Sequence, residues 1–287
     1  MARRTIFAGT FVHTPSPREL TILKNAAIFV DEAGRIAHID ADASAADARI
    51  NSDLGAWSGA ELIFSRASRN EFFFPGFVDT HIHASQYPNA GIFGKTTLLD
   101  WLEEYTFPLE ASLADLDKAR RVYARCIART LANGTTTAAY YATRDVHSTN
   151  LLADLCVKAG QRAFVGRCNM DSNAPDYYRD ASAADALRDT EATVAHCAHL
   201  DPARKLLTPI VTPRLAASRA ARASASCEAR WVASSVRRSY SSRCCWSSGA
   251  CQKQKRRLGE CLNQILVDVE ERVSESTKQC IDRKSVV

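Results

Sequence analysis

The chain has 287 residues, of which 46% are hydrophobic and 24% are charged, a composition typical of globular proteins. Twelve glycines and nine prolines exclude a fibrous or Pro/Gly-rich disordered chain, and no stretch approaches the ~20 consecutive apolar residues of a membrane span. The apolar run of the basic amino terminus is short and is broken by Thr10 and His13. It therefore predicts a first strand and not a signal peptide, and we expect a cytoplasmic protein.

Charge and cysteine are unevenly distributed along the chain. The net charge is +5, yet residues 215–287 hold 14 Lys and Arg against 7 Asp and Glu, so the basic character belongs to that segment alone. The four cysteines of the first 214 residues lie in apolar surroundings. They are expected to be reduced core residues in a reducing compartment; they are Cys126, Cys156, Cys168 and Cys197.

Residues 1–74 predict a small β-sheet domain. The apolar runs 26–30 and 36–39 have the composition of strands, and between them Asp31 to Gly34 form a hairpin turn in which glycine supplies a positive φ. Residues 40–60 are rich in Ala and Asp and only weakly patterned, so a loop is expected there.

From Pro75 onwards strands and helices alternate. Strands are predicted at 76–83, 135–141, 162–168 and 206–212. Helices are predicted to begin near Thr96 or Thr97, after a capping box at Ser112, at a cap on Ser148 and at residue 182. This alternation indicates βαβ units and a parallel sheet, either an open doubly wound sheet or half of a (β/α)8 barrel. No glycine-rich loop follows the first strand, which argues against nucleotide binding.

Two histidines carry the clearest chemical signal. His81 and His83 are two apart on a predicted strand, so both imidazoles project from the same face. Two neutral imidazoles on one face can bind one divalent metal ion, at the ~2.0–2.1 Å that Zn²⁺ prefers. Asp79, on the same face, is expected to be a supporting partner or a fold contact.

The residues around this pair resemble a known family. Pro75 to His83 resembles the first barrel strand of the amidohydrolase superfamily, whose members are metal-dependent hydrolases on a (β/α)8 barrel. Six further segments resemble the guanine deaminase family within it, and the resemblance covers about residues 1–214. The segments are HASQY (83–87), DWL (100–102), YTFP (105–108), NGTTT (133–137), GQRAFVG (160–166) and PIVTPR (209–214).

The resemblance implies a fold, a reaction and a set of site residues. The expected fold is α/β, with a small β domain at 1–74 followed by the amino-terminal half of a (β/α)8 barrel at 75–214. The expected reaction is zinc-dependent hydrolysis of guanine to xanthine and ammonia. By position, His81 and His83 match the family's metal ligands. Gln86 matches a residue that contacts the purine, and Arg214 matches the contact to the purine carbonyl. Trp101 matches the aromatic wall of the substrate pocket. An intact member is expected to be a homodimer.

Each of the three substrate-binding assignments has an ordinary alternative. The spacing of Trp101 with other apolar residues already explains a place in a helix core, and without the resemblance Gln86 and Arg214 would be taken for surface residues.

The sequence also departs from the family. The family's site needs a third His followed by a Glu, a fourth His and an Asp, yet the last histidine of this chain is His199. His196 and His199 are three residues apart on a predicted helix and are expected to lie at its carboxyl end, where the helix dipole favours imidazoles. We therefore expect a truncated barrel without catalytic residues. Residues 215–287 are then an aberrant, mostly disordered tail, of the kind that a frameshift or a retained intron produces.

Two further hypotheses remain open. One is a different aminohydrolase of the same superfamily, acting on another purine, a pyrimidine or a triazine. The other is a non-catalytic fragment with a basic, disordered tail. The basic residues of the tail could contact phosphates, but charge runs are usually solvated, so no nucleic acid or membrane partner is expected. The tail has neither histidine nor a Cys-x-x-Cys pair, which argues against a zinc finger.

Overall fold

The computed structural model describes residues 3–16, 18–42, 56–92 and 96–214. These residues belong to two compact units, which divide between Pro75 and Gly76. The predictions for residues 215–287, an aberrant and mostly disordered tail, lie outside the described residues. No helix of the described part is long and apolar enough to cross a membrane.

The first unit contains a four-stranded sheet, which confirms the predicted small amino-terminal sheet. The strand order is β3-β2-β1-β4, with β1 antiparallel to β2, β2 antiparallel to β3 and β4 parallel to β1. Gly34 has φ 75° in the predicted turn, where Asp31 accepts hydrogen bonds from the backbone N–H of Ala33 and Arg35. The strands are β1 Thr5–Ser16, β2 Glu19–Val30, β3 Ile36–Asp40 and β4 Glu61–Phe64.

The second unit contains a parallel sheet whose strand order follows the chain, β5-β6-β7-β9. The two-residue strands β8 and β10, which follow β7 and β9 in the chain, form a separate parallel pair. The strands are β5 Phe77–Ile82, β6 Thr135–Tyr141, β7 Arg162–Gly166, β8 Cys168–Asn169, β9 Leu207–Pro209 and β10 Thr212–Pro213. This confirms the predicted α/β class with a parallel sheet.

Helices connect the strands of this sheet. A broken helix after β5 consists of α1 Leu98–Trp101, a π-helical turn Leu102–Thr106 and α2 Phe107–Ser112. The connecting helices are α3 Leu116–Ala132 between β5 and β6, α4 Val146–Ala159 between β6 and β7, and α5 Ala183–Leu200 before β9. Three short 3₁₀ helices complete the described elements: Ala67–Arg69, Ala84–Asn89 and Asp176–Tyr178.

Two of the predicted helix caps are wrong. Helix α3 is capped by Asp115, whose carboxylate accepts from the backbone N–H of Asp117 and Lys118. Ser112 instead ends α2, where its hydroxyl donates to the carbonyl oxygen of Leu109 at 2.6 Å. Helix α4 is capped by Asp145, three residues before the predicted cap at Ser148, and the Asp145 carboxylate accepts from the backbone N–H of that serine.

The core of the second unit fills the space between the sheet and its helices. Tyr123, Tyr140, Leu152, Val165 and Leu207 are all fully buried there. The four cysteines predicted to be core thiols are free and buried. Because the strands are parallel, their carboxyl ends lie at one edge of the sheet, and in barrels of this type that edge carries the active site.

Candidate active site

The two predicted metal ligands lie at the carboxyl end of β5. Their ring centroids are 5.1 Å apart, as expected for residues two apart in extended backbone. The Asp79 carboxylate accepts a hydrogen bond from the backbone N–H of His81 at 3.1 Å, so this aspartate holds the strand end where the histidines lie. The ring of Tyr141, at the end of β6, packs 4.2 Å from that of His81.

The backbone of β6 selects the tautomer of His83. Its Nδ1 lies 3.1 Å from the carbonyl oxygen of Tyr141. Because a carbonyl oxygen can only accept, Nδ1 carries the proton and Nε2 keeps its lone pair. This is the hydrogen bond that metal-binding histidines usually make through the nitrogen that does not bind the metal.

The surroundings of His83 also keep its ring neutral. Burial lowers its pKa to about 4, and the positive charge of Arg214 acts in the same direction, against the opposing charge of Glu110. A neutral imidazole is the form that binds metal ions.

The histidine pair fits two of the ligands of a zinc site. Within the described residues, no group of three or more His, Cys, Asp or Glu side chains is placed to hold a metal ion. A stable catalytic zinc site uses three protein ligands and keeps one position open, so the described part of the chain supplies only a portion of such a site.

Two of the predicted substrate-binding residues meet on one buried carboxylate. Glu110, in α2, is fully buried. Its Oε1 accepts from Gln86 Nε2 at 3.0 Å and from Ser85 Oγ at 3.2 Å. Its Oε2 accepts from Arg214 Nη1 at 2.5 Å. The structure thus brings together Gln86, from the segment after β5, and Arg214, which directly follows β10.

Arg214 is held on three sides. Its backbone N–H donates to the carbonyl oxygen of Asn169 at 2.9 Å, and its guanidinium carbon lies 5.6 Å from the centroid of the Phe107 ring. Its side chain is only 13% exposed. Burial alone would lower the pKa of Arg214, but the charge of Glu110 outweighs that effect and raises it, so the guanidinium remains charged.

Glu110 and Tyr178 are site residues that the sequence analysis did not find. The hydroxyl of Tyr178 donates to Glu110 Oε2 at 2.9 Å and accepts from the backbone N–H of Arg144 at 3.1 Å. Burial, followed by the charge of Glu110, raises the pKa of Tyr178 well above its ordinary value, so it remains a donor. Glu110 lies three residues after Phe107, on the buried face of α2. A charged residue at such a position is the signal that could have revealed it.

Trp101 is the third predicted substrate-binding residue. It ends α1 half-buried, and its ring packs against Tyr105 with centroids 5.0 Å apart. His196, in α5, lies with Nε2 2.8 Å from Asp154 Oδ1 on α4, a hydrogen bond between two helices. His199 lies in the last turn of α5, as predicted.

Comparisons with known proteins agree with this fold. The chain is 44% identical over 213 residues to a probable guanine deaminase of Schizosaccharomyces pombe, covering 74% of this chain and 40% of the relative. It is 40% identical over 215 residues to the human guanine deaminase, covering 74% of this chain and 45% of that protein. The chain thus spans less than half the length of these relatives.

A solved structure and a family model match the same region. The guanine deaminase of C. acetobutylicum, solved with bound guanine in its active site, superposes with a TM-score of 0.63 at 35% identity, covering 75% of this chain and 47% of that one. The described sheet therefore corresponds to the first half of a (β/α)8 barrel. The model of the amidohydrolase family matches residues 72–236, which extends beyond Arg214, where the sequence resemblance was placed to end. This chain belongs to the amidohydrolase family.

Proposed function

We propose that this chain is part of a guanine deaminase, and that its described residues provide the purine-binding side of the active site together with two metal ligands. The observation that carries the proposal is the meeting of Gln86 and Arg214 on Glu110, close enough to the histidine pair for the charge of Arg214 to act on His83. Similarity to guanine deaminases over 74% of the chain supports the choice of substrate.

Each residue has a defined part in this proposal. His81 and His83 would hold a zinc ion, which supplies a water nucleophile near neutral pH. Arg214 is a charged donor suited to the purine carbonyl oxygen, and Gln86 is a second polar contact that fixes the ring in its plane. Trp101 is proposed to form the aromatic wall. Together these contacts orient the ring so that its amino-bearing carbon faces the metal.

Location and assembly complete the proposal. The four described cysteines are buried free thiols, in keeping with a reducing compartment, and we propose that the protein is cytoplasmic. For the intact enzyme we propose a homodimer, which light scattering on the purified protein would test.

Equilibrium dialysis of the 287-residue chain against radiolabelled guanine tests the substrate. We expect guanine to bind more tightly than adenine, cytosine or a triazine, and Arg214→Met and Gln86→Ala to weaken its binding. His147→Ala, an exposed position on α4, is the matched control and should leave binding unchanged. Tighter binding of a pyrimidine or a triazine would favour another aminohydrolase, and binding of none of the four rings would overturn the proposal in favour of a non-catalytic fragment.

A further inference from the structure

We propose that Glu110 is a positioning residue that sets the hydrogen-bond polarity of the purine site, and thereby selects a base with a ring N–H beside a ring carbonyl. The inference rests on the proposed function and goes beyond it, because it assigns the choice between 6-oxopurines and 6-aminopurines to a residue outside the expected substrate contacts. Four independent donors converge on this one carboxylate: Ser85, Gln86, Tyr178 and Arg214.

The first step concerns the orientation of the Gln86 amide. An amide can present either its NH₂ group or its carbonyl oxygen to a neighbour, and the two ends have nearly the same shape. A carboxylate only accepts hydrogen bonds, so the Nε2 end must face Glu110. Gln86 Oε1 then remains an acceptor that no hydrogen bond within the described residues uses, and it is available to an N–H donor of a ligand.

The second step concerns Arg214. Its Nη1 is engaged by Glu110, while no hydrogen bond among the described residues uses Nε or Nη2. A guanidinium has donors only, so what it can offer a ligand is an N–H group, and it requires an acceptor such as a ring carbonyl. The ion pair with Glu110 also keeps this buried cation from facing a neutral base without a counter-charge.

The third step is that the carboxylate itself cannot turn. Each of its oxygens accepts two hydrogen bonds, so its roughly four lone-pair sites are all in use. Tyr178 is in turn fixed by the backbone N–H of Arg144, and the carboxylate is fully buried in α2. Glu110 is therefore a fixed reference for both neighbours.

The resulting pattern is an acceptor at Gln86 and a donor at Arg214. Guanine carries a ring N–H next to a ring carbonyl, which complements this order. Adenine carries a bare ring nitrogen next to an amino group, which reverses it. A site built from buried polar groups rejects such a reversed ligand strongly, because its own donors and acceptors are left unpaired.

Glu110→Gln tests the inference on the full 287-residue chain. The substituted amide can donate as well as accept, so the Gln86 amide is free to turn over, and Arg214 loses its counter-charge. By dialysis with radiolabelled guanine and adenine, we expect guanine affinity to fall about 10- to 100-fold, the loss typical of a hydrogen bond to a charged group. The preference for guanine over adenine should fall at least about tenfold with it.

The ratio of the two affinities separates positioning from a structural role, because partial unfolding lowers the binding of both bases alike. Asp180→Asn is the matched control: Asp180 is also a buried carboxylate bonded to an arginine, Arg167, but it contacts neither Gln86 nor Arg214. It should leave the ratio unchanged.

Tyr178→Phe is a second test of the inference. It keeps the carboxylate and removes one of its donors, so it should reduce the ratio less than Glu110→Gln does. It serves as the test if Glu110→Gln does not fold.

Suppose that the wild-type chain prefers guanine, but that the ratio of guanine to adenine affinity is unchanged in both Glu110→Gln and Tyr178→Phe. This result would overturn the inference and leave the proposed function standing. An equal loss of ratio in Asp180→Asn would also overturn it. Wild-type chain that binds neither base would overturn the proposed function, and the inference with it.

Discussion

Nδ1 of His83 lies 3.1 Å from the carbonyl oxygen of Tyr141, so the backbone of β6 determines which nitrogen of a β5 histidine is available to a metal ion. The pairing of these two strands produces this contact, because parallel register places Ile82 opposite Tyr140 and so brings the next residue of each strand together. The ligand is thus oriented by the sheet itself and not by a mobile side chain.

The first prediction concerns zinc. The purified chain should bind Zn²⁺ weakly, because two imidazoles leave most of the ion's positions to water. His83→Ala should weaken zinc binding at least about tenfold. Removing a residue that only supports a metal ligand typically costs about 10- to 100-fold in metal affinity, so loss of a ligand itself should cost at least the lower value. Isothermal titration calorimetry measures both. His147→Ala, with an exposed imidazole on α4, is the control, and an equal loss in that variant would show that the ion binds elsewhere.

The second prediction concerns turnover. The 287-residue chain should not release ammonia from guanine above the level of a His81→Ala, His83→Ala double variant, even with added zinc. Its last histidine is His199, so the further ligands and the Glu that the family resemblance requires are not supplied, and a general acid or base alone contributes about 10²- to 10⁴-fold. Xanthine formation followed by absorbance is the measurement. Turnover clearly above the double variant would mean that other residues complete the site.

The elements of the second unit could be predicted from local patterns. Runs of β-branched and aromatic residues indicate strands, and glycines such as Gly134 and Gly160 end helices. Each of these signals depends only on residues close together in the sequence. Gly160 ends α4 with φ 72°, as its position after an apolar helical stretch indicates. The caps at Ser112 and Ser148 were wrong for a local reason. An aspartate lies nearby in both cases and forms the cap, and each serine hydroxyl has a different hydrogen-bond partner: Lys118 Nζ for Ser112 and Tyr123 OH for Ser148.

The candidate site was predictable only where chemistry and spacing coincide in one segment. His81 and His83 are adjacent on one strand, so alternation alone places them together. Glu110 could not be found in this way, since its partners come from separate segments and meet only after the sheet and α2 have packed. Its importance depends on tertiary contacts that leave no short-range pattern in the sequence.

The third prediction tests the corrected start of α3. Asp115→Ala should lower the free energy of unfolding by about 1 kcal/mol, within the range of about 0.5–2 for loss of a capping side chain, because Oδ1 accepts from two backbone N–H groups at 2.9 and 3.1 Å. Urea denaturation followed by circular dichroism gives the value. Asp117→Ala removes a neighbouring carboxylate that caps nothing and should cost only about 0.3 kcal/mol. Equal costs in the two variants would show that Asp115 acts through charge alone.

The last prediction concerns the buried thiols. Burial, with a smaller effect from the charge of Asp79, raises the pKa of Cys126 from 9.0 to about 11, and burial also raises the pKa of Cys168 and of Cys197 to about 12. The thiolate is the reactive form, and a raised pKa means that it appears only at more alkaline pH.

In the folded chain, the rate of alkylation by iodoacetamide at these positions should therefore rise about tenfold per pH unit from pH 8 to 10 without a plateau. In guanidinium-unfolded chain, the control, the rate should level off near the ordinary thiol pKa of about 8.5. Peptide mapping by mass spectrometry separates the positions, and a plateau below pH 9 at Cys126 in folded protein would contradict its burial.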